Sequence, residues 1–66
     1  MTTDKLLPMS LEVGDQVLIN DELFTLIQVD DDLEHGYRLV LSDLYDMVKS
    51  LIVGDDQYVT VVMENE

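Results

Sequence analysis

The side chains in this chain that can do chemistry are overwhelmingly carboxylates: fifteen Asp and Glu stand against three Lys and Arg, one His and no Cys. The densest group, Asp30-Asp31-Asp32-Leu33-Glu34-His35-Gly36, has the composition of a divalent-cation loop. An EF-hand loop, however, needs Gly at its sixth position and Glu at its twelfth. Counted from Asp30, those positions hold His35 and Leu41, so the match fails and a solvated hairpin loop is expected. His35 has neither Cys nor a second His to complete a zinc site, and no nucleophile is spaced to pair with it. Carboxylate pairs are abundant, but acid–base catalysis needs a cleft that shifts their affinities for protons. A domain of 66 residues has little room for one beside its core. The expectation is a noncatalytic protein with no catalytic residue, metal or cofactor. Phe24, Tyr37, Tyr45 and Tyr58 suit either an aromatic groove for Pro-rich peptides or an ordinary core.

Placement of the carboxylates is more informative than their pairing. Asp15, Asp21, Glu22, Asp30, Asp31, Asp32, Glu34, Asp43, Asp46, Asp55 and Asp56 fall at predicted turns. In a small barrel the turns gather at the two ends, which would give acidic rims around an apolar body. A rim of this kind engages a basic protein surface, and can imitate the phosphate spacing of a nucleic acid in the groove of a nucleic-acid-binding protein. The plainer reading is solubility alone. Lys5, Arg38 and Lys49 are scattered, so direct binding of nucleic acid or of an anionic membrane is disfavoured.

The elements that must carry these residues are short strands. Val13 to Val29 sets the pattern, with Gly14-Asp15 turning into a first strand at Gln16–Ile19 and Asn20-Asp21-Glu22 turning into a second at Leu23–Val29. Strict alternation puts Leu23, Thr25, Ile27 and Val29 on one face of the second strand, with Phe24, Leu26 and Gln28 on the other. After the acidic loop, Tyr37 to Leu41 forms a third strand. Ser42 to Val53 reads two ways. Leu44, Met47, Val48, Leu51 and Ile52 recur at helical spacing, with Ser42 as N-cap and Gly54 as C-cap. The strand-and-turn rhythm of the chain selects instead a turn over 42–46 and a strand from Met47 to Val53. Gln57 to Met63 is the last strand. Residues 1–10 read as a flexible tail, broken at Pro8, whose Leu6, Leu7 and Met9 either cover one end of the core or stay disordered. The domain spans 11–63 and residues 64–66 are an exposed end.

A formal net charge of −12 adds self-repulsion to the slim margin of so small a core. A dimer or other bound partner offsets both. Phe24, Leu26, Tyr58 and Val62 are the expected second apolar face, and a structural or assembly role through homo-oligomerisation is the alternative function. No apolar run reaches the roughly 18 residues of a membrane span, and no basic-then-apolar leader opens the chain, which predicts a soluble cytoplasmic protein.

The segments Leu11-Glu12-Val13-Gly14-Asp15-Gln16-Val17, Asp21-Glu22-Leu23-Phe24-Thr25-Leu26 and Arg38-Leu39-Val40-Leu41-Ser42-Asp43-Leu44 resemble the N-terminal SH3-like, KOW-like domain of elongation factor P and its hypusine-containing relatives. The resemblance implies an all-β, five-stranded SH3-like barrel. The family's modified lysine would lie on the loop Asp30 to Gly36, which has no lysine, and Met47 stands where the family's turn places Gly. The barrel is therefore carried over and the translation function is not. Small acidic barrels also resemble accessory proteins encoded by bacteriophages.

Overall fold

The computed structural model describes residues 2–32, 34 and 36–63, apart from the Asp32 side chain. Among them the regular structure is β, with one 3-10 turn and no α-helix. The strands are β1 (Thr2–Leu6), β2 (Gln16–Ile19), β3 (Glu22–Asp32), β4 (Gly36–Ser42), β5 (Val48–Val53) and β6 (Val59–Met63). They make one antiparallel sheet in the order β1-β6-β2-β3-β4-β5. Hence β2 to β5 form a meander, β6 returns beside β2, and β1 lies outside β6.

The hairpins explain why the chain folds this way. Asn20 and Asp21 both have positive φ, 51° and 67°, giving a two-residue turn that lets Ile19 pair with Glu22. Such primed turns match the right-handed twist of the flanking strands. β3 then runs past Val29 to Asp32, with Asp30 opposite Arg38, Asp31 opposite Tyr37 and Asp32 opposite Gly36. The acidic segment expected to be a loop is thus largely strand, because β4 pairs with it residue by residue.

A register shift lies between Leu26 and Gln28. This bulge inserts one residue, Ile27, and corrects the alternation read from the sequence. Phe24, Leu26 and, beyond the bulge, Val29 face inward, whereas Thr25, Ile27 and Gln28 are exposed. Beside the bulge, the Leu26 amide donates to the Asp15 carbonyl and the Gly14 amide to the Leu26 carbonyl, both at 2.8 Å. The Gly14-Asp15 turn is thereby fastened to β3.

One face of the sheet encloses the core: Leu11, Val17, Phe24, Leu26, Leu39, Leu41, Val53, Val59 and Val61, with Leu6, Ile19, Val29 and Tyr37 packed against it. Among the described residues no polar or charged side chain is buried. The curvature brings the turn after β5 against the start of β4. At Gly36, where φ is 105°, an added Cβ would collide with the Val53 carbonyl oxygen and the Gly54 Cα. Only glycine permits that approach.

Two expectations are corrected. The sheet has six strands, not five, and β1 and β5 are its edges, so it is open where a closed barrel was anticipated. The sixth strand comes from the presumed tail, since Thr2–Leu6 pairs with β6 from Thr2–Met63 to Leu6–Val59. Its binding is through the backbone, which an edge strand of polar side chains supplies as well as an apolar one. Pro8 is buried and opens the 3-10 turn Pro8–Ser10, which delivers Leu11 to the core. The strand expected after the turn at 42–46 is formed, beginning at Val48 rather than Met47 after a turn from Asp43 to Met47, and the helical alternative at 43–53 is not. The C-terminal end, residues 64–66, lies outside the described residues.

Candidate functional site

The turn between β4 and β5 is built by its own carboxylate. Asp43 Oδ1 accepts the amides of Tyr45 and Met47 at 2.8 and 2.9 Å. The Asp43 amide donates to the Met47 carbonyl at 3.0 Å, and the Asp46 amide to the Asp43 carbonyl at 3.2 Å. Asp46 takes the left-handed position, φ 64°, that closes a three-residue hairpin loop. With its backbone so occupied, the turn projects Leu44 and Tyr45 outward, 78% and 84% exposed.

Next to it stands the β2–β3 turn. A shallow hollow is lined by Asp21, Glu22 and Leu23 from one turn and by Asp43, Leu44 and Tyr45 from the other. Three of the predicted rim carboxylates therefore converge around two exposed apolar side chains, and Asp46 sits on the same turn.

A second acidic group lies around the start of β4. Asp30 opposes Arg38 across the ladder, and both its carboxylate oxygens accept the Gln28 side-chain amide at 3.0 Å. Asp31 is exposed on β3, Asp32 pairs with Gly36, and the Gly54–Asp55 backbone packs against that same glycine. Asp55 and Asp56 are exposed in a turn closed by two hydrogen bonds between Gly54 and Gln57: the Gln57 amide donates to the Gly54 carbonyl, and the Gly54 amide to Gln57 Oε1. Glu34 is exposed at the adjoining turn, and His35 lies outside the described residues.

Asp15 belongs to neither group. It is half-buried, and its Oδ2 accepts the Glu12 amide at 2.9 Å, so its role is to hold the turn before β2. Among the described residues no group of three or more His, Cys, Asp or Glu is placed to hold a metal ion, and no helix is long and apolar enough to cross a membrane.

The anticipated apolar interface does not assemble. Phe24 and Leu26 are core residues, 4% and 0% exposed, on the inward row, whereas Tyr58 is exposed and Val62 faces outward half-buried. The four tyrosine and phenylalanine rings likewise divide: Phe24 is inside, Tyr37 packs on the core, and Tyr45 and Tyr58 occupy separate turns. Lys49 Nζ lies 5.7 Å from the Phe24 ring centroid, capping that core residue with a cation.

What the sequence reading missed is the exposed apolar surface running from the β4–β5 turn into β5: Leu44, Tyr45, Met47, Val48 and Ile52. The available signal was the lack of alternation from Met47 to Val53, which a strand packed on one face should show. Comparison of the chain with protein-family models, with curated proteins and with solved structures returned no match.

Proposed function

We propose that this protein is a noncatalytic acidic module that engages a basic protein surface through the end formed by the β2–β3 and β4–β5 turns. The observation that carries the reading is the convergence of Asp21, Glu22 and Asp43 around exposed Leu44 and Tyr45. Carboxylates steer a Lys- or Arg-rich partner and fix its register, while the apolar pair supplies area that loses water on docking. Tyr45 also offers a ring face to an arginine. Mimicry of nucleic-acid charge is the special case in which the partner's groove normally holds phosphates. The meander β2 to β5 with β6 returned beside β2 supports an SH3-like, half-open barrel as the scaffold, and an accessory role of the kind small bacteriophage proteins play is consistent with it.

The test is binding to an immobilised panel of Arg- and Lys-rich peptides and to a basic nucleic-acid-binding domain, as a function of salt. The triple variant Asp21→Asn, Glu22→Gln, Asp43→Asn is expected to lose about tenfold or more in affinity. The triple variant Asp30→Asn, Asp31→Asn, Asp55→Asn, which removes the same charge elsewhere, loses only the long-range part. Equal losses in the two variants would reduce the acidic end to bulk charge.

A further inference from the structure

We infer that β5 is a self-pairing edge through which two copies of this chain join their sheets. The inference is independent of the acidic end as a docking site. It rests on which backbone groups β5 leaves free and on the residues that flank them.

The Asp43 amide donates to the Met47 carbonyl, and these residues continue the β4–β5 register that pairs Ser42 with Val48 and Val40 with Ser50. In an antiparallel ladder the hydrogen-bonded residues alternate. Lys49, Leu51 and Val53 therefore bond to β4, and the N–H and C=O groups of Val48, Ser50 and Ile52 point to the open edge. The side chains of the same three residues lie on the outer face, where Val48 and Ile52 are 60% and 53% exposed.

The other edge, β1, carries Asp4 and Lys5 and is exposed over all but its last residue, a protected edge. In β5 the sole charge is Lys49, and it is drawn inward over Phe24. No proline or bulge interrupts the strand.

The occupant follows from the pattern of β5 itself. A twofold axis perpendicular to the sheet keeps outward residues beside outward residues, so only alternate registers are allowed. Centring the axis on Lys49 sets two lysines face to face. Centring it on Leu51 brings Asp46 toward Asp56 of the second copy. Centring it on Ser50 avoids both and pairs Val48 with Ile52, Ser50 with Ser50 and Ile52 with Val48. All three free N–H and all three free C=O groups of each copy are then bonded, and the β-branched Val48 and Ile52, which pack well on a pleated surface, meet across the strands. Because the two copies carry −12 each, added salt strengthens this association, opposite in sign to docking on a basic partner.

The experiment is sedimentation velocity of the full chain from about 10 µM to about 1 mM, in about 50 mM and about 500 mM NaCl, with amide exchange followed by NMR. A strand-only interface is small, so a dimer of weak affinity is expected, tightening about threefold or more at the higher salt. The amides of Val48, Ser50 and Ile52 gain protection as concentration rises, while those of Lys49, Leu51 and Val53 are protected throughout. Ser50→Pro deletes an outward N–H and leaves the bonds to β4, so the folded variant is expected to lose dimerisation about tenfold or more. Should it fail to fold by circular dichroism, Ile52→Lys makes the same test with an outward charge. A chain that stays monomeric at about 1 mM in high salt overturns the inference. So does a dimer whose three outward amides stay unprotected, or one that the folded edge variants leave intact.

Discussion

At the scale of single residues, two glycines with nearly the same φ do different work. Gly14 (103°) has open space where a Cβ would go, whereas Gly36 (105°) faces the Val53 carbonyl and the Gly54 Cα. Gly14→Ala therefore bears only the left-handed strain, about 1–2 kcal/mol. Gly36→Ala adds a collision with backbone that cannot rotate away, and is expected to lose about 3 kcal/mol or more. Urea unfolding of the two variants measures the difference. Losses of equal size would mean that the turn after β5 is not pressed against β4. Asp15 makes a related point: it looks like part of an acidic surface, yet its carboxylate is committed to the Glu12 amide.

Among the elements, the β4–β5 turn is the one whose chemistry is least settled by its residue types. It uses Asp46 at a position that glycine fills without strain, φ 64°, and compensates with the two bonds to Asp43 Oδ1. Asp46→Gly is expected to stabilise the domain by up to about 1 kcal/mol by removing a left-handed side chain. Asp43→Ala is expected to destabilise it by about 1 kcal/mol through two amides left to water. Thermal melts of both variants, with Asp46→Asn as the control that removes charge but keeps left-handed tolerance, separate strain from electrostatics. A stabilising Asp46→Asn equal to Asp46→Gly would assign the effect to charge.

For the whole molecule, charge and size oppose each other. Among the described residues the core cluster comprises nine buried apolar side chains, and the chain carries a net −12. Among the described residues most carboxylates gather at two places, around the Asp21–Asp43 hollow and around Gly36, while Asp4, Glu12 and Asp15 lie apart. Like charges so gathered repel most at low ionic strength. The melting temperature is therefore expected to rise by several degrees between about 20 mM and about 500 mM NaCl, and a fall or no change would show that the repulsion is already relieved within the fold. Sodium sulfate is not a substitute, since it also strengthens apolar burial.

The sequence by itself determined the class of structure and the order of its central strands. Apolar residues at a period of two, separated by Gly-Asp, Asn-Asp and Asp-Asp corners, leave few options other than an antiparallel meander, because each corner supplies the backbone freedom that a tight turn requires. It also set the sign of the surface. Only the tertiary structure decided the rest. Local patterning could not reveal that Thr2–Leu6 becomes a strand, since its partner β6 is more than fifty residues away and the bonds are made by backbone common to every sequence. It could not place the bulge at Ile27, which brings Val29 onto the face of Phe24 and Leu26, nor tell that this face is the one the core covers, which removes Phe24 and Leu26 from the interface expected of them. Over 43–53 the local side chains suit helix and strand alike; the rhythm of the whole chain pointed to the strand, and pairing with β4 commits it. Periodicity reports which residues can share a face; long-range hydrogen bonding determines which face is covered.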